Sequence, residues 1–218
     1  MKTAMLGATW RTCFVVLGVM CAVGCADDKD PRTPEGAYLL FRDALLSENA
    51  DMLWERCDKE THAYFQGRYE ALVRMDATIE EYLPQADHRI ARRQSGVVLL
   101  DEVKNGRALF DKIFEPAKLP KDQAHMLGSE IKEVRVAEDS ATAKVVTRGE
   151  QKYILVAQEV GEEKTKQWFV KLVQSTAAVK VSMKWLDDNE SALTQTVDDL
   201  IAEERERRET VIAELMNL

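Results

Sequence analysis

With 38 acidic against 30 basic side chains in 218 residues, the chain carries a formal charge of −8. Such a balance lacks the clustered basic surface that nucleic acid demands, and it gives no broad electrostatic hold on anionic lipid. The length suits one sizeable domain and not two.

The first residues are built unlike the rest. Lys2 and Arg11 are the only charged side chains before Asp27. Behind them Cys13 to Val23 is an apolar stretch of about eleven residues, the length of a signal-peptide core and short of the roughly 20 that span a bilayer. Asp27-Asp28-Lys29-Asp30 closes it.

Ala22-Val23-Gly24-Cys25 resembles the lipobox of bacterial lipoproteins. Gly24 and Cys25 match it well, whereas Ala22 stands where such proteins more often carry Leu. The resemblance implies a signal over 1–24, cleavage before Cys25 and lipid on its thiol. An ordinary secretory signal, leaving a soluble protein, is the alternative. Two or more acyl chains hold a protein stably where one binds only marginally. Ala26 to Thr33, polar and interrupted by Pro31, reads as a short flexible tether completing segment 25–33. The expected place is the bacterial cell envelope; Ala26 after the cysteine is compatible with sorting to the outer membrane in some double-membraned bacteria. Without the signal, the loss of Lys2 and Arg11 takes the charge from −8 to −10. Cys57 is then the one free thiol left in the domain, and it follows Leu53-Trp54 at a spacing that predicts burial.

Thr33-Pro34-Glu35 predicts a helix start, with a capping hydroxyl, Pro at the first turn and an acid at the positive end of the dipole. Tyr38, Phe41, Ala44 and Leu45 fall on its inner face. After Ser47-Glu48-Asn49 a short helix begins at Met52-Leu53-Trp54, and a longer one runs from Asp58 to about Tyr82, stopped by Pro84. Val97-Val98-Leu99-Leu100 fits either a buried strand or a helical turn. Ala108 to Phe114 reads as helix.

From Ser129 the apolar period becomes two. Ile131–Ala137, Ala141–Val145, Tyr153–Val160 and Trp168–Val173 are the expected strands, and their short connections require antiparallel pairing. Val179, Val181, Met183 and Trp185 alternate with polar residues, which predicts a further strand or an extended arm. A final amphipathic helix over 187–218 carries Leu193, Val197, Leu200, Ile201, Val211, Ile212, Leu215 and Met216. Between its apolar ends, Glu203 to Glu209 is a mixed-sign run fit for solvent. Such a helix either packs at both ends or reaches off the domain to meet a partner or its own copy. The expected class is therefore α+β: helices packed on a curved antiparallel sheet of about four to five strands, then a long helix.

Pro34-Glu35-Gly36-Ala37 through Phe41, Ala44-Leu45-Leu46, and Asn49-Ala50-Asp51-Met52-Leu53-Trp54 before a long helix resemble the opening of small lipoproteins with a nuclear transport factor 2-like fold. The resemblance covers roughly residues 34 to 173 and rests on general pattern. It implies a domain over 34–186 in which helices and sheet enclose a cone-shaped cavity. Enzymes of that superfamily need an Asp or His inside the cone, and other members only bind ligands or proteins; fold alone does not choose between them. His62 with Tyr64, and Asp87 with His88, are the pairs that could act catalytically, with surface or capping roles as the plainer reading. His125 stands apart. No metal-ligand spacing, phosphate loop or nucleophile elbow is present, so no cofactor or metal is expected. Cys25 is the one functional residue the sequence names. The expected function is a lipid-anchored envelope domain that binds a protein or small ligand without catalysis. The alternatives are a dehydratase- or isomerase-like enzyme in the cone, or a structural or chaperone-like role of the final helix.

Overall fold

The computed structural model describes residues 29–113 and 127–216, with backbone alone over 177–182. Cys25 with its lipobox, Phe114 and His125 lie outside the described residues.

Each of the first three helices starts on a side chain that accepts a backbone N–H left over by the first turn. Thr33 Oγ1 takes Gly36 N at 3.1 Å to open α1, Pro34–Leu46. Asn49 Oδ1 takes Met52 N at 2.9 Å to open α2, Ala50–Glu55. Asp58 Oδ1 takes Thr61 N at 3.0 Å to open α3, Lys59–Tyr82. Along α3 the residues Phe65, Leu72, Met75 and Ile79 are wholly buried. Removing each from water contributes about 1.5–3 kcal/mol, which makes α3 the spine of the helical half. Two short helices pack on it, α4 (His88–Ser95) and α5 (Gly106–Ile113). Val97–Asp101 forms a 3-10 turn, which resolves the ambiguity of that apolar run in favour of a helical turn.

The sheet is a four-stranded antiparallel meander in the order β1 (Ile131–Val136), β2 (Thr142–Thr147), β3 (Lys152–Val160), β4 (Thr165–Val170). Its inner face alternates as a half-buried sheet must. Ala143, Leu155 and Val170 form one cross-strand row, and Val145 sits opposite Tyr153 in the next. Helix α1 lies across this face and touches β1, β2 and β4. The fold is thus α+β, as the change of period predicts.

Three segments depart from expectation. The fourth strand begins at Thr165 and stops at Val170. Leu172–Ser175 then coils into a turn of helix, α6, because Ser175 Oγ donates to Lys171 O at 2.7 Å and accepts from Ile154 N at 2.8 Å. The alternating run Val179 to Trp185 is neither strand nor extended arm. It belongs to α7, a single helix over Ala177–Met216 that begins ten residues before the expected boundary at 187. The edge of β4 it would have joined is already taken, and Met183 and Leu186, both wholly buried, stand at helical spacing. No Gly or Pro interrupts the chain after them. Finally, residues 29–33 lie against the body: Pro31 O accepts from Trp168 N at 2.8 Å, and Thr33 N closes a turn on Asp30 O at 3.1 Å.

Helix α4 ends at Gly96, whose φ of +80° is the left-handed stop that L side chains resist. A Cβ there would also overlap the ring of Trp185 on α7. Gly96→Ala should therefore lower stability by about 1–3 kcal/mol through strain and overpacking together. An urea unfolding midpoint unchanged from the wild type would contradict this docking of α7.

Candidate functional site

Where a cone-shaped cavity would lie, between α1 and the sheet, the described residues are aromatic and closely packed. Tyr38 and Phe41 of α1 stand 5.2 and 5.4 Å, centroid to centroid, from Tyr153 of β3. Both phenols are spent on backbone: Tyr38 Oη donates to Ser129 O at 2.6 Å, and Tyr153 Oη to Leu127 O at 2.6 Å. A second aromatic group fills the space between α2, α3 and α5. Its members are Trp54, Phe65 and Phe110, with centroids 5.0–6.5 Å apart.

The two residue pairs singled out from sequence are not brought together. His62 stacks on Trp54 at 4.0 Å, with its Nε2 2.9 Å from Trp54 O. Tyr64, two positions along a helix and so on another side, packs edge-on to Phe65 and lies under the Arg68 guanidinium. His88 Nε2 lies 2.9 Å from Leu83 O, closing the end of α3. Its neighbour Asp87 faces a different groove. His62 and His88 thus each meet a backbone carbonyl.

Polar groups are buried at the start of α3. Asp58 and Thr61 are each 1% exposed, and Asp58 Oδ2 and Thr61 Oγ1 have no hydrogen-bond partner. Beside them the Cys57 thiol is buried and donates to Leu53 O at 3.3 Å. Burial is also the main cause that pushes the Cys57 thiol and the Tyr38 and Tyr153 hydroxyls well above their ordinary values of 9.0 and 10.0. Burial thus disfavours the Cys57 thiolate, and the side chain packs in the core.

The open features lie outside the core. Between α4 and α7 runs a mainly apolar groove of about 500 Å³, walled by Leu83, Ile90, Ala91, Ala192, Leu193 and Leu200, with Asp87 and Asn189 on its rim. Asn189 Nδ2 ties its floor to Ser95 O at 3.2 Å. On the other side of α4, His88, Arg89, Arg92 and Arg93 border a polar groove of about 490 Å³, where Arg92 pairs with Asp76 at 3.3 Å. Beyond Val197, every residue of α7 to Met216 is exposed. The sequence reading missed the first groove, because it forms only where α7 crosses α4. Its one local signal is Ile90-Ala91, an apolar pair among arginines.

Among the described residues no group of His, Cys, Asp and Glu is arranged to hold a metal ion, and no helix is long and apolar enough to cross a membrane. Comparisons of the chain with protein-family profiles, with characterised proteins and with solved structures find no match.

Raised values for buried Cys57, Tyr38 and Tyr153 mean that the folded state holds these protons more tightly than the unfolded chain does. The stability they contribute is complete below about pH 9 and declines as pH rises through the ordinary values of 9.0 and 10.0. Each group steepens that decline by up to about 1.4 kcal/mol per pH unit. Urea midpoints between pH 8 and 11 should fall accordingly, and Cys57→Ala should remove the part that begins near pH 9. A flat profile would show that these groups are not sealed from water.

Proposed function

We propose that this protein is a bacterial envelope lipoprotein, held to the membrane by lipid on Cys25, whose folded domain binds a protein or small ligand without catalysing a reaction. The non-catalytic part rests on one observation: the space between helices and sheet is filled by Tyr38, Phe41 and Tyr153, and both phenols are committed to backbone carbonyls. An enzyme of the kind the resemblance allows would need acid or imidazole groups converging on open space there. His62 and His88 instead meet backbone carbonyls. A body of helices on an antiparallel sheet agrees with the nuclear transport factor 2-like resemblance at the level of fold class alone.

The anchored reading rests on the charge-poor apolar start and on the small residue before Cys25. Lys29, four residues past Cys25, pairs with Asp43 of α1, so the body begins almost at the lipid. Four residue steps reach at most about 14 Å, so lipid on Cys25 would hold Lys29 close to the headgroups. The side of the molecule away from that attachment is then free to bind.

Labelling cells with a fatty acid and fractionating them tests the anchor. The wild-type chain should take up label and sediment with membranes, and Cys25→Ser should do neither once exported. Label or membrane retention persisting in Cys25→Ser would overturn the reading.

A further inference from the structure

Helix α7 is one rod with two environments. Met183, Leu186 and Val197 are buried against the body, where Arg68 pairs with Asp187 and Arg74 with Glu190 at 3.0 Å. Residues 198–216 then leave it, and the last sixteen extend about 24 Å at 1.5 Å each. An exposed helix of this length, with Ile201, Val211, Ile212, Leu215 and Met216 all open to solvent, leaves an apolar stripe uncovered.

The stripe has an order. Ile201, Glu204, Arg208, Val211 and Leu215 follow one another at steps of three and four, the 3.5-residue period of a two-helix seam. From Ile201 to Val211 the seam reads apolar, acid, base, apolar, which is complementary to itself when reversed. Antiparallel pairing about a two-fold axis level with Glu206 sets Ile201 opposite Val211 of a second copy and Glu204 opposite Arg208 of that copy. Parallel pairing would set Glu204 against Glu204 and Arg208 against Arg208, like charges at the centre of the seam. Arg205 and Arg207 flank the axis, and each has an acid one turn away in its own chain, Glu209 and Glu203, to offset it.

We propose that the free half of α7 is a dimerisation arm, which pairs antiparallel with the arm of a second copy of this chain. The pairing does not depend on lipid at Cys25. Charge exchange tests it in the full chain, purified in mild non-ionic detergent and weighed by sedimentation equilibrium at tens of micromolar.

The wild type should weigh two copies. Glu204→Arg sets arginine against Arg208 of the other copy, and Arg208→Glu sets glutamate against Glu204. Each variant alone should weigh one copy, its self-association weakened at least about tenfold. An equimolar mixture of the two should weigh two copies again, since every seam charge then meets its opposite. Loss of the Glu204–Arg208 ion pair within the helix cannot produce that recovery, because mixing does not restore it. A wild-type chain of one copy would overturn the proposal and leave the arm to a different protein. Single variants that still pair, or a mixture that does not, would overturn it equally.

Discussion

The start of the long helix α3 is tied to the sheet through the backbone of one residue. Val170, the last of β4, gives its N–H to Arg56 O at 2.9 Å and takes Asp58 N on its carbonyl at 3.0 Å. The loop between α2 and α3 is thereby added to the sheet as a single parallel bridge at Cys57. Much follows from that joint. Cys57 is buried because it is the residue bridged, and Asp58, its amide fixed on the sheet, is placed to cap α3. The edge of β4 is closed by this loop and by Pro31, which removes an open strand edge from solvent. The chain beyond β4 is consequently turned away through α6 into the long helix.

The joint also explains why the interior is filled. With α3 pinned at its start, its buried face carries Phe65 onto Phe110 and Trp54, while α1 carries Tyr38 and Phe41 onto Tyr153. The buried hydroxyls meet backbone carbonyls of 127–129, where the chain enters the sheet. The open surfaces lie outside this core. Those surfaces are the groove beside α4 and the free length of α7, and both depend on where α7 crosses the helical half.

Most of the element order was legible in the sequence, because capping residues and apolar period are local signals. Thr33 and Asp58 each mark a helix start that the structure bears out, whereas the second helix begins at Ala50, capped by Asn49, and not at Met52. Ala143 and Val145 alternate with polar residues in the sequence, and both are buried on the inner face of β2. The reading failed at Val179 to Trp185, where alternate apolar residues imitate a strand. What decides that segment is tertiary: the β4 edge is occupied, and α3 with α4 offers Met183, Leu186 and Trp185 a surface to pack on. The docking of residues 29–33 was invisible for the same reason, since a polar run with Pro looks like a tether until Trp168 supplies its N–H. Of the candidate site, the sequence showed the residues of the arm but not the groove, which no single element contains.

Helix α7 therefore has a half that the body holds and a half that the body leaves for a second copy, divided near Val197. Hydrogen exchange of the full chain, followed residue by residue across a range of concentrations, tests that division most directly. Amides from 183 to 197 should be protected at every concentration, whereas those from 198 to 216 should exchange freely when dilute and become protected as copies pair. Protection of the arm that does not change with concentration, or exchange as fast at Leu186 as at Val211, would contradict the account.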